Sequence, residues 1–137
     1  MSFRARHLTK RLCAQVALTL GIAALATTAS AIGAGDPAPA FALTTAAGET
    51  IALDKLKGRV VYVDFWASWC GPCRRSFPWM NEMQQKYGPA GFTVVGVNVD
   101  KRRPDADKFL QQTPATFTIV YDPAGTTPEA YGVKGMK

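Results

Sequence analysis

Cys70-Gly71-Pro72-Cys73 follows closely on the run Val60-Val61-Tyr62-Val63-Asp64-Phe65-Trp66, and the two together leave few folds open. The run is almost continuously apolar and rich in β-branched and aromatic residues, the pattern of a strand covered on both faces of a sheet. Beyond it a helix is predicted from about Gly71 to Tyr87. There Phe77, Met80, Met83, Gln84 and Tyr87 recur at three- and four-residue spacing and leave a partly apolar face. Gly88-Pro89 closes that helix, and Pro78 inside it should kink it. The cysteine pair therefore sits at a strand-to-helix junction.

The rest of the chain extends this pattern. Asp36-Pro37-Ala38-Pro39 should be extended and outside the core, within a linker over residues 32–40. Phe41–Thr44 and Thr50–Leu53 flank Ala46-Ala47-Gly48-Glu49 as a weak hairpin signal. Phe92–Val99 reads as a second buried strand, and Pro104 opens a short helix reaching about Gln112. Ala115–Tyr121 reads as a third strand, followed by a turn at Asp122-Pro123-Ala124-Gly125 and at most a helical turn over Thr127–Tyr131. Strand, helix, strand, helix, strand describes an α/β domain with a partly parallel, mixed central sheet flanked by helices.

The net charge of +6 is concentrated at the N-terminus. Arg4, Arg6, Lys10 and Arg11 precede any acid, whereas from Ile32 onward twelve Lys and Arg face ten Asp and Glu, leaving only +2. That distribution does not point to nucleic acid; Lys101-Arg102-Arg103 reads as a solvated loop. Residues 1–31 instead have the form of a secretory signal: a basic start, an apolar run from Leu12 to Ala26, and Ala29-Ser30-Ala31 as a small-x-small cleavage site. The alternative is an uncleaved anchor, which needs about 20 predominantly apolar residues. Gln15, Thr19 and Thr27-Thr28 interrupt a shorter run, so cleavage is favoured. The expected location is the periplasm or another exported compartment, with the membrane touched only through this segment, as a signal or an anchor facing the periplasm. Export matters chemically because disulfides persist outside the cytosol.

Of three cysteines, Cys13 would leave with the signal, so the mature chain keeps only Cys70 and Cys73. At a helix start the first thiol meets unpaired backbone N–H groups and the positive end of the helix dipole, which favours the thiolate, the nucleophilic form. Cys70 is placed to attack, and Cys73, one turn deeper, to resolve the mixed disulfide. Pro72 restrains the loop, Gly71 lets it turn tightly, and Trp66 and Trp69 would shield the pair while offering an apolar surface. Asp64, the only acid in its run, is the candidate proton acceptor for Cys73, and burial would raise its pKa toward the working range. A zinc half-site is the competing reading. Tetrahedral zinc needs four ligands, no second cysteine pair exists, and the only histidine, His7, lies in the signal. No metal and no cofactor beyond the redox-active disulfide is expected.

Val61-Tyr-Val-Asp-Phe-Trp-Ala-Ser-Trp-Cys-Gly-Pro-Cys73 resembles the active-site signature of thioredoxin-fold proteins of the exported, TlpA-like kind. Pro78, five residues after Cys73, matches the family's helix-kinking proline. Gly35–Leu43 resembles an opening segment shared with peroxiredoxins, and Tyr131–Met136 the approach to the family's cis-proline loop. The resemblance implies a thiol:disulfide oxidoreductase with Asp64 as the buried acid. A Gly-Pro spacer is, in the family, more typical of reductants. Substrates would be protein disulfides and thiols, and the electron donor a partner such as a membrane thiol reductase. Lys137 stands where the loop proline is expected, so residues 41–137 are expected to form a thioredoxin-like domain incomplete at the C-terminus, lacking the final strands and helix. A weakly active or inactive fragment is the alternative. A peroxidase is the least favoured reading, since Val63 and Ala67 occupy the positions of the peroxiredoxin proline and threonine.

Overall fold

The computed structural model of the chain describes residues 32–136; the expected signal over residues 1–31, with Cys13 and His7, and Lys137 lie outside the described residues. Five strands form one mixed sheet in the order β2-β1-β5-β4-β3. Here β1 (Ala42–Thr44) and β2 (Thr50–Ala52) are the antiparallel hairpin foreseen at Phe41–Leu53, with Ala42 opposite Ala52. β3 (Val60–Trp66), β4 (Phe92–Asn98) and β5 (Thr118–Tyr121) run parallel, in register from Val60 against Phe92 to Trp66 against Asn98. The crossovers are α1 (Gly71–Tyr87) and α2 (Arg103–Gln112), and a one-turn helix α3 (Thr126–Ala130) follows β5.

Alternation along β3 separates two cores. Trp66 points toward α1 and α2, joining Phe77, Met80, Val94, Phe109 and Phe117 with both cysteines. Val61, Val63 and Phe65 face the other side, where Phe41, Val95, Val97 and Val120 are buried. On that side Tyr131 packs edge-on to Phe65 and donates its hydroxyl to the Pro39 carbonyl at 2.8 Å, tying the N-terminal segment down.

Three expectations change. β3 is not covered along its whole length, since Val60 is 69 % exposed and Tyr62 is exposed too; among the described residues it pairs with β4 alone, at the sheet's end. An apolar run marks a strand but cannot say which strand is the edge. The third strand begins at Thr118 rather than Ala115, because Asn81 on α1 takes up the intervening backbone. Its amide oxygen accepts from Thr116 N at 2.7 Å, and its Nδ2 donates to the Pro114 carbonyl at 2.9 Å. Within the linker over 32–40, residues 33–36 form a turn in which Asp36 Oδ2 accepts from Gly33 N at 2.7 Å.

Candidate active site

α1 starts where its sequence requires. Cys70 is the N-cap residue in an extended conformation, Pro72 occupies the first turn, where no N–H is needed, and the helix continues through Pro78 to Tyr87. The Cys70 sulfur accepts a hydrogen bond from the Cys73 backbone N–H at 3.2 Å, so one of the first-turn donors of the helix points at the sulfur itself. Cys70 and Cys73 are joined as a disulfide with their Cα atoms 5.3 Å apart, and both are buried. Gly71 and Pro72 are exposed, and a side chain at Gly71 would meet open space. Pro78 is exposed on α1.

The two tryptophans separate. Trp66 is not a surface shield. It is fully buried, edge-on to Phe77 and tilted against Phe109 at 5.1 and 4.9 Å between ring centroids, because its place on β3 faces the core under both helices. Trp69 is 69 % exposed and is the apolar surface beside the pair.

Asp64 lies on the same face of β3 as Tyr62 and Trp66, the face that α1 covers. It is half-buried, and its Oδ2 is shut off from solvent with no hydrogen-bond partner. Burial pushes its pKa up to about 6. Tyr62, raised first by burial and then by the Asp64 charge, records their proximity. The structure thus places Cys70 and Cys73 at the start of α1 and Asp64 on the face of β3 that this helix covers, and leaves Trp69 at the rim.

Several residues were not foreseen. Arg74, next to Cys73, lies over the Phe109 ring at 4.6 Å and donates to Thr113 Oγ1 at 2.9 Å, bracing α1 against the end of α2. Beside it a shallow cleft of about 240 Å³ is lined by Ser68, Arg74, Asp105, Lys108, Phe109 and Gln112. Asn98 ends β4 and Asp100 lies just beyond it; Asp100 accepts two hydrogen bonds from Ser68, and Asn98 donates to Asp100. Their signal was present as two polar residues at the carboxyl end of a parallel strand, where α/β sheets place their sites. Among the described residues no group of three or more His, Cys, Asp or Glu side chains converges to hold a metal ion.

The Redoxin family model matches residues 33–137. This chain belongs to the Redoxin family. Thiol-disulfide oxidoreductase ResA of Geobacillus thermodenitrificans is 36% identical to it over 104 residues, 76% of this chain and 60% of that protein. ResA of Bacillus subtilis is 33% identical over 105 residues, 77% of this chain and 59% of its own length. The chain therefore spans about 60% of these curated relatives. A crystal structure assigned to thiol:disulfide interchange protein DsbE of Chlorobium tepidum superposes with a TM-score of 0.73 at 59% identity, covering 78% of this chain and 74% of that one. The thioredoxin domain of a Bacteroides vulgatus thiol-disulfide oxidoreductase gives 0.71 at 29% identity, covering 77% of each. This Redoxin chain thus has a thioredoxin-like fold of the TlpA-like kind.

Proposed function

We propose that this chain is an exported thiol:disulfide oxidoreductase that reduces disulfides of other exported proteins. The observation that carries the reading is the Cys73 N–H directed at the Cys70 sulfur, which favours a Cys70 thiolate. That thiolate attacks one sulfur of the substrate disulfide, forming a mixed disulfide and releasing a substrate thiolate. Cys73 gives its proton to Asp64, and its thiolate attacks the Cys70 sulfur. The Cys70–Cys73 disulfide forms and the second substrate thiolate leaves; both substrate thiolates take protons from solvent. Two electrons pass from the cysteine pair to the substrate, and a thiol donor, such as a membrane thiol reductase, returns them. No other cofactor is needed. The names of the relatives support the chemistry, and the pattern of residues 1–31 supports export.

The test is reduction of a protein disulfide by the dithiol form. Cys70→Ser should lower turnover by about 100-fold or more. Cys73→Ser should accumulate a mixed disulfide through Cys70, visible by mass spectrometry. Unchanged turnover in Cys70→Ser would sink the assignment.

A further inference from the structure

The loop that delivers Cys70 to its helix is held by a buried carboxylate that the redox chemistry does not itself use. Cys70 N donates to the Ala67 carbonyl at 3.0 Å, closing a turn whose central residues are Ser68 and Trp69. Asp100 grips that turn at Ser68 by two bonds. Its Oδ2 accepts from Ser68 N at 2.8 Å and its Oδ1 from the Ser68 hydroxyl at 2.9 Å. Asn98 backs the grip, donating from Nδ2 to Asp100 Oδ2 at 2.8 Å while its Oδ1 accepts from Asp100 N at 3.2 Å. Asn98 and Asp100 are both buried. The ion pairs among the described residues, Arg102–Asp105 and Arg103–Asp107, leave Asp100 with hydrogen bonds alone.

A buried carboxylate is costly to desolvate and persists only where its hydrogen bonds offset that cost. Here the three side-chain bonds to its oxygens come from the turn and from Asn98. The clamp is anchored on both sides: Val99 N donates to the Trp66 carbonyl at 3.0 Å, just before the turn. The Asn98 carbonyl accepts from Asp122 N at 2.8 Å, at the end of β5.

We propose that Asp100, backed by Asn98, is a positioning residue for the redox pair. Its carboxylate fixes the Ala67–Cys70 turn and so holds the Cys70 sulfur in line with the free N–H groups of α1. The inference rests on the proposed oxidoreductase reading for its purpose but not for its measurement. Positioning and bare charge act in opposite directions. Removing a negative charge alone favours the Cys70 thiolate, whereas releasing the turn draws the sulfur from the helix N-terminus and disfavours it.

The decisive measurement is the pH profile of iodoacetamide alkylation, read on the Cys70 peptide of the reduced full-length chain, with a thermal melt alongside. Asp100→Ala should slow alkylation at pH 7 by about tenfold and move the profile about one unit to higher pH. Asp100→Asn, which keeps an acceptor oxygen, should recover part of the rate. Ser68→Ala, which loses only the hydroxyl bond, should slow it about two- to threefold. A profile within twofold of wild type in Asp100→Ala, or one moved to lower pH, overturns the proposal. If Asp100→Ala loses its cooperative melt, Ser68→Ala decides: slower alkylation supports positioning and an unchanged rate overturns it. Failure to turn over any protein disulfide would defeat the functional reading while leaving these profiles intact.

Discussion

Asp64 illustrates how one side chain carries opposite consequences for stability and chemistry. Its unfolded carboxyl ionises near 3.8, and burial of an unpartnered oxygen pushes the folded value up to about 6. Between those values the folded state binds more protons than the unfolded one, so stability falls as pH rises through that window and stays lower above it. Asp64→Asn should therefore stabilise the oxidised protein at pH 7 by about 1–2 kcal/mol, less than the full shift implies because the side chain is only half-buried. The gain should vanish below about pH 3, where the wild-type group is neutral in both the folded and the unfolded state. Urea melts at the two pH values measure this, and an equal gain at both contradicts it. The same variant should lose the limb of kcat that rises near pH 6, since the proposed acceptor for the Cys73 proton is gone. Cys70, Cys73 and Asp64 were legible in the sequence because each stands out from its neighbours in kind. Trp66 and Trp69, three residues apart and identical in kind, were not separable: only packing sends one into the core and leaves the other in solvent.

Among the elements, α1 and β4 show where local patterning suffices. Proline in the first turn, three- and four-residue spacing of Phe77 and Met80, and Gly88-Pro89 at the end mark out α1 without help from the rest of the chain. β4 carries a requirement that the sequence states only as a glycine. A Cβ at Gly96 would stand 2.9 Å from the Phe117 ring, 3.0 Å from Ile119 Cδ1 and 3.3 Å from Trp66 Nε1. A side chain is absent there, which lets the aromatic core close over the middle of the sheet. Gly96→Ala should cost about 1–3 kcal/mol by overpacking, lowering the urea midpoint without changing the slope. A midpoint equal to wild type would show that the rings yield freely. β5 starts later than its sequence pattern implies because the backbone before it is held by a side chain on α1, Asn81, 35 positions before Thr116.

For the whole molecule, the arrangement of strands matters more than their number. No strand pairs with the outer edge of β3 among the described residues, and Val60 and Tyr62 stand exposed along it, with Trp79 of α1 edge-on to Tyr62 at 5.5 Å. An open parallel edge with apolar and aromatic side chains is a template for pairing with another chain. A polypeptide of residues 32–137 should accordingly self-associate with rising concentration, and Val60→Lys should reduce that association. Sedimentation velocity across a hundredfold concentration range reads it; a monomer throughout, with and without the substitution, counts against the edge. The sequence by itself determined the Cys70–Cys73 pair at a strand-to-helix junction, the α/β order and the odd acid at Asp64, because residue type and spacing act over a few positions. Only the tertiary structure decided that β3 is the sheet's edge among the described residues, that Trp66 is core, and that Asp100 reaches back to Ser68. Those outcomes depend on which distant segments meet, and burial and hydrogen bonding between segments far apart in the chain leave no local period to read.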